Sequence, residues 1–157
     1  KGNCLRQLIT KKGIEWEDKP IFNQTVIGDP SWNDYAVSCD IFFHEDYSYA
    51  TILSRATEMH RSHQLPEAYI LKLHSSGIWE LKAGTKKLDS GFISLKEYKW
   101  NNISLNIREN KIKALINGQS VAEHTDSNYT CGMVELGSSF NKVDFDNLTV
   151  KENKLTY

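Results

Sequence analysis

The sequence predicts an all-β domain, a jelly-roll-type sandwich of two antiparallel sheets. Between Lys99 and Asp126, Ile103, Leu105 and Ile107 alternate with polar residues, the period of a half-buried strand. The same stretch holds Asn117-Gly118. That dipeptide favours a type I′ hairpin, because both central residues of the turn need positive φ. Elsewhere short β-rich runs follow one another at hairpin spacing, and no apolar stripe of helical period interrupts them.

The elements are read in chain order. Cys4–Ile9 is a short strand and Lys11-Lys12-Gly13 a turn. Ile14–Asn23, with Trp16 among charges and Pro20, is a loop. Thr25–Ile27 is a strand stopped by Gly28-Asp29-Pro30. Asp34–Phe43 is the clearest core strand, with Tyr35, Val37, Cys39, Ile41 and Phe43 on one face. His44-Glu45-Asp46 is a loop, and Tyr49–Ala56 is the next strand. The polar insert Thr57–Pro66 has no apolar stripe and reads as a loop. Ala68–His74 and Ile78–Lys82 form a hairpin about Ser75-Ser76-Gly77, and Leu88–Ser94 follows. The meander then runs through Ile103–Ile107, a strand from Ile112, and Ser120–His124. Cys131–Leu136 and Lys142–Lys151 complete the set. In the last strand Val143 and Phe145 have one parity and Leu148 and Val150 the other, which requires a bulge or two buried faces near Asp146-Asn147.

At 157 residues the chain is one domain, long enough for a real core. Nineteen basic against twenty acidic side chains leave a net charge of −1, which argues against a polyanion-binding surface and so against nucleic acid. No apolar run is long enough for a transmembrane segment, and the start carries no signal-peptide pattern. Lys1-Gly2-Asn3 leads straight into an apolar strand, so the chain is expected to be a piece of a longer protein. Three cysteines, Cys4, Cys39 and Cys131, leave at least one thiol unpaired within the chain, and Cys39 reads as a core residue. Sequons at Asn23, Asn102, Asn128 and Asn147 point to a lysosomal or secreted glycoprotein, with a bacterial extracytoplasmic protein as the alternative.

No nucleophile elbow, zinc-protease helix or phosphate loop is present. Most carboxylates lie in turn-like segments, where solvated surface groups are expected. His60 and His63 stand three apart in the polar insert without a third ligand. Sugar binding fits the composition better, since sugars stack C–H faces on aromatic rings and offer hydroxyls to polar groups. Trp16, Trp32, Tyr47 and Tyr49 are the candidate platforms, while Trp79 and Trp100 read as core. Arg55, on a strand, either anchors a ligand on an open sheet face or pairs with an acid such as Asp40. Calcium is the other candidate ligand, held by loop oxygens at a sandwich edge, with Asp146 at the bulge as first choice. A structural Asp bonding nearby backbone N–H groups is the competing reading.

Leu5-Arg6-Gln7, Ile27-Gly28-Asp29-Pro30-Ser31-Trp32, Val37-Ser38-Cys39-Asp40-Ile41, Lys99-Trp100 and Val143–Val150 occur in an order that resembles the C-terminal lectin-like domain of galactocerebrosidases. The likeness runs over nearly the whole chain. The Trp-led meander and the final Phe-Asp-Asn strand are shared by concanavalin A/laminin-G-like sandwiches in general; Gly-Asp-X-X-Trp followed by a Cys-Asp strand is more specific. The resemblance implies a domain without catalytic residues of its own. A separate (β/α)₈ barrel of a retaining β-galactosidase would carry them and act on galactosyl lipids or other galactosides. This domain would pack on that barrel and help shape its pocket. The resemblance also implies a structural calcium ion, with Asp146 matching one ligand and Asn23 near a second. The strand before Arg55 lacks the family's usual glycines. The alternative is a free-standing laminin-G-like module that binds glycan or protein.

Overall fold

The computed structural model describes residues 2–11, 23–57 and 67–153. Twelve strands are found there: β1 (Leu5–Arg6), β2 (Asn23–Ile27), β3 (Tyr35–Phe43), β4 (Tyr49–Ala56), β5 (Tyr69–His74), β6 (Ile78–Ala83), β7 (Lys86–Phe92), β8 (Asn101–Arg108), β9 (Lys111–Ile116), β10 (Gln119–Thr125), β11 (Met133–Ser138) and β12 (Val143–Glu152). They form two six-stranded antiparallel sheets. The first runs β1-β12-β3-β8-β9-β10 and the second β2-β11-β4-β5-β6-β7. Among the described residues no helix is long and apolar enough to cross a membrane.

The core lies between the sheets and follows directly from the alternation. Val37, Cys39 and Ile41 of β3 and Ile103, Leu105 and Ile107 of β8 meet Ile52 of β4 and Leu71 and Leu73 of β5. Burial pushes the Cys39 thiol up to about 12, so it behaves as a small hydrophobe. The Asn117-Gly118 turn has positive φ at both residues, 51° and 78°, as its hairpin requires. At the other end of this meander, Glu109 takes the left-handed conformation in the tight β8–β9 turn.

The parity change in β12 resolves as a bulge. Its pairing with β3 shifts register between Asp146 and Thr149, and Asn147 sits at φ 51°. Val143 and Phe145 join the core before the slip, and Leu148 and Val150 pack against it afterwards. The bulge therefore keeps both apolar pairs on the same face.

Several boundaries differ from expectation. β1 is shorter than Cys4–Ile9: it pairs with β12 at Leu5 and Arg6, and Leu8 and Ile9 beyond it are exposed. The strands expected at Leu88–Ser94 and Cys131–Leu136 are displaced by two residues, to Lys86–Phe92 and Met133–Ser138. Residues 12–22, Trp16 included, and residues 58–66, His60 and His63 included, lie outside the described residues, and with them the loops expected there.

Candidate functional site

The second sheet turns a mixed face away from the core. Alternation in β4 sends Ala50 and Ile52 inward and leaves Tyr49, Thr51 and Leu53 on the outward face. Register sets Tyr49 opposite His74, Thr51 opposite Lys72 and Leu53 opposite Ile70. A cavity of ≈ 300 Å³ opens on this face, with Tyr49, Thr51, Leu53, Ile70, Lys72 and Lys82 in its lining. Leu53 and Ile70 give it an apolar base and belong, with Ala56 and Ala68, to a small cluster separate from the main core.

Charge is arranged closely around it. The Lys72 ammonium lies 4.0 Å from the centre of the Tyr49 ring, a cation–π contact. Burial lowers the pKa of Lys72. Burial and, second, the Lys72 charge lower that of His74, whose ring lies 5.7 Å from Tyr49. Lys82 pairs with Glu80 at 2.9 Å and holds its carboxyl below the usual range. The face thus offers an aromatic ring, a hydroxyl and two ammonium donors within one recess, a set suited to sugar hydroxyls and ring faces. Close by on the same face, Glu135 of β11 is fully buried opposite Leu53, and burial raises its carboxyl to about 7.

A second polar cluster lies on the outer face of the first sheet. Arg6 donates two hydrogen bonds of 2.7 Å to the buried Asp144, and His44 Nε2 lies 2.8 Å from the same carboxylate. The Arg6 guanidinium first, then His44, hold Asp144 at about 2 against the opposing effect of burial.

Of the described residues expected to bind sugar, only Tyr49 lies in the sheet-face cavity. Tyr47 is at a loop tip and 95% exposed. Trp32 folds inward instead: it packs on the core, meets Tyr35 edge-on at 6.0 Å and lies where a side chain on Gly28 would stand. Arg55 is 2% exposed, so the ligand-anchor reading is corrected. Its guanidinium donates to the carbonyls of Asn33 (2.9 Å) and Tyr129 (2.8 Å) and to Asp34 (3.0 Å). The expected partner Asp40 belongs to the other sheet and accepts hydrogen bonds from Asn102 and Asn147. Trp79 is buried as expected, whereas Trp100 precedes β8 and is 39% exposed.

Asp146 and Asn23 do not converge. Asp146 points out of the first sheet, away from the second sheet that carries Asn23, and accepts the Asn147 backbone N–H at 2.7 Å. The Asn23 amide donates to the Ser139 carbonyl at 3.4 Å. Among the described residues no three His, Cys, Asp or Glu side chains are grouped to hold a metal. The donor set described does not fit a calcium ion on Asp146 and Asn23 together. Of the sequons, Asn128 lies in an exposed loop and Asn147 is exposed at the bulge. The Asn102 amide is engaged by Ser38 and Asp40.

Sequence reasoning missed Lys72, His74 and Lys82. The signal was present in the predicted hairpin: Lys72 and His74 alternate with Leu71 and Leu73, so they had to share the outward face.

A family model described as "Galactocerebrosidase, C-terminal lectin domain" matches residues 1–153. The galactocerebrosidase of Danio rerio is 24% identical over 152 residues; the match covers 93% of this chain and 23% of that protein, so the chain spans less than a quarter of the relative's length. Among solved structures, the carbohydrate-binding module CBM66 from Bacillus subtilis superposes with a TM-score of 0.63 at 12% identity, covering 76% of each chain. A Bacillus subtilis protein of galectin-like fold does so at 0.63 and 15%, covering 96% of each. Sheep galectin-11 gives 0.58 and 9%, covering 84% of this chain and 98% of that one. At these identities the structural likeness is one of fold.

Proposed function

The chain belongs to the galactocerebrosidase C-terminal lectin domain family, and from that membership we propose a non-catalytic, sugar-recognising accessory role within a galactocerebrosidase-type β-galactosidase. Hydrolysis of galactosyl lipid or galactoside falls to a barrel domain elsewhere in the longer protein, on which this domain packs and whose pocket it helps shape. The carrying observation is the family match along residues 1–153. The cavity beside Tyr49 and Lys72 supports sugar contact, because it joins an aromatic ring to hydroxyl and ammonium donors. The family and the four sequons support a lysosomal or secreted glycoprotein, with Asn128 the acceptor best placed in a surface loop.

The test uses the chain itself. Incubation with a chromogenic β-galactoside is expected to give no hydrolysis. Titration with methyl β-galactoside, followed by NMR, is expected to perturb amides of β4, β5 and β6, and Lys72→Ala or Tyr49→Ala to remove the effect. Hydrolysis that disappears on substituting a carboxylate of this chain overturns the non-catalytic reading. Absence of any galactoside-induced shift overturns the sugar-recognising one.

A further inference from the structure

Two exposed tyrosines hold backbone conformations that bulky residues avoid. Tyr47 (φ 59°) and Tyr98 (φ 49°) both lie in the left-handed region, and they are 95% and 85% exposed. Neither ring offsets the strain by burial.

The loops that carry them are pinned from beneath. Buried Ser48 donates its hydroxyl to the Glu45 carbonyl at 2.7 Å, closing one loop. The Ser48 carbonyl accepts the Ser75 N–H at 2.9 Å, and the Asn141 amide donates to the Asp46 carbonyl at 3.1 Å. In the other loop, buried Asn101 accepts the Lys96 N–H and donates to the Lys96 and Lys99 carbonyls, all at 3.1 Å. Asn117 in turn donates to Asn101 at 2.9 Å. A cleft of ≈ 610 Å³ lies between these loops, with His44, Glu45, Asp46, Glu97, Tyr98 and Lys99 in its lining. Tyr47 follows Asp46 directly. Trp100, two residues after Tyr98, adds an exposed ring that meets Phe42 at 5.6 Å.

We propose that this cleft is a binding site for neutral oligosaccharide, with Tyr98 and Tyr47 as stacking faces and the carboxylates between them as hydroxyl acceptors. It goes beyond the sheet-face cavity around Tyr49 and uses none of the lining residues named there. Rigid presentation of exposed aromatic rings lowers the ordering cost of binding. Flat rings beside hydrogen-bonding groups match the two surfaces of a sugar. Glu45, Asp46 and Glu97 outnumber Lys96 and Lys99, which disfavours sialylated or sulfated glycans. A protein partner would call for an apolar centre, and the cleft lining is mainly polar and charged.

An array of neutral, sialylated and sulfated glycans is probed with this chain, and lactose is titrated by NMR as the soluble neutral probe. Neutral glycans are expected to bind in preference to acidic ones, with lactose shifting amides of residues 44–48 and 95–101. Tyr47→Ala with Tyr98→Ala should weaken binding by about tenfold or more, the scale of lost aromatic stacking. Tyr98→Phe should bind as the parent does. Tyr98→Gly is the control for folding: it should raise the melting temperature, by relieving strain, while losing binding. Absence of lactose-induced shifts at residues 44–48 and 95–101, or their survival in the double alanine variant, overturns the assignment. Shifts confined to β4, β5 and β6 count against this site and leave the sheet-face reading standing, and shifts confined to residues 44–48 and 95–101 do the reverse.

Discussion

Arg55 carries a charge in a place where charge is expensive. Its backbone is left-handed (φ 55°), its own N–H donates to the Tyr35 hydroxyl at 2.7 Å, and its guanidinium reaches two carbonyls and Asp34. The Tyr35 hydroxyl donates in turn towards the Gly132 and Met133 carbonyls, 3.1 and 3.2 Å away. One side chain therefore ties the start of β3, the end of β4 and the segment before β11. Three directed donors suit a planar guanidinium and not an ammonium. Arg55→Ala strips the two carbonyls of this donor and leaves Asp34, which is 30% exposed, with the Glu109 N–H at 2.8 Å, and should cost about 1–3 kcal/mol, the range for leaving buried acceptors unsatisfied. Arg55→Lys should recover only a minor part. Urea denaturation of the three proteins measures this, and a loss below about 1 kcal/mol for Arg55→Ala would match an exposed pair instead. That an arginine sits on this strand was plain from the sequence. Its partner was not, because Asp34 lies just before β3 and Asp40 within it, and the packing of the two sheets decides which of them Arg55 meets.

At the scale of elements, β12 shows how much a pattern can disclose. The mismatch between Phe145 and Leu148 requires a bulge, and the bulge is where the mismatch places it. The β8–β9–β10 meander and the β5–β6 hairpin were equally legible, since their pairings are local and their turns carry Glu-Asn, Asn-Gly or Gly. The pairings β12–β3, β11–β4 and β2–β11 join distant segments and leave no local trace. For the same reason the sheet-face cavity as a whole was not legible: it takes residues from β2 and β11 as well as from β4, β5 and β6. Trp100 was misread because a tryptophan one residue outside a strand looks like one inside it. The bulge itself is testable through Asn147, which accepts φ 51° and donates to Asp40 at 2.8 Å. Asn147→Val puts a β-branched side chain in that conformation and should cost about 1–3 kcal/mol. Asn147→Gly, which loses the hydrogen bond and relieves the backbone, should lie within about 1 kcal/mol of the parent. Equal losses in both variants would locate the stabilisation in the Asp40 contact and not in the backbone.

For the whole molecule, two buried carboxylates titrate in opposite senses and shape stability against pH. Asp144 is held at about 2 by Arg6, with His44 assisting, below its ordinary 3.8. Its contribution is complete above 3.8 and is lost as pH falls through about 2. Glu135 is raised by burial from 4.5 to about 7. It costs nothing below 4.5; the penalty for ionising it in the fold grows from there and is complete above about 7. At 1.36 kcal/mol per unit these limits are about 2 kcal/mol for Asp144 and about 3 for Glu135. Exposure of Arg6 to solvent reduces the first. His74, lowered by burial, destabilises the fold as pH falls below 6.5 and partly masks the Glu135 limb. The expectation is therefore differential. Glu135→Gln should gain on the parent as pH rises from 4.5 to 7.5, and Asp144→Asn should lose less than the parent as pH falls from 4.5 to 2.5. Denaturant midpoints of the three proteins at those three pH values measure both limbs. A constant gap between parent and Glu135→Gln from pH 4.5 to 7.5 would mean that ionised Glu135 is compensated inside the fold. The expected outcome instead makes ionised Glu135 a cost that the fold carries at neutral pH and sheds as the medium acidifies.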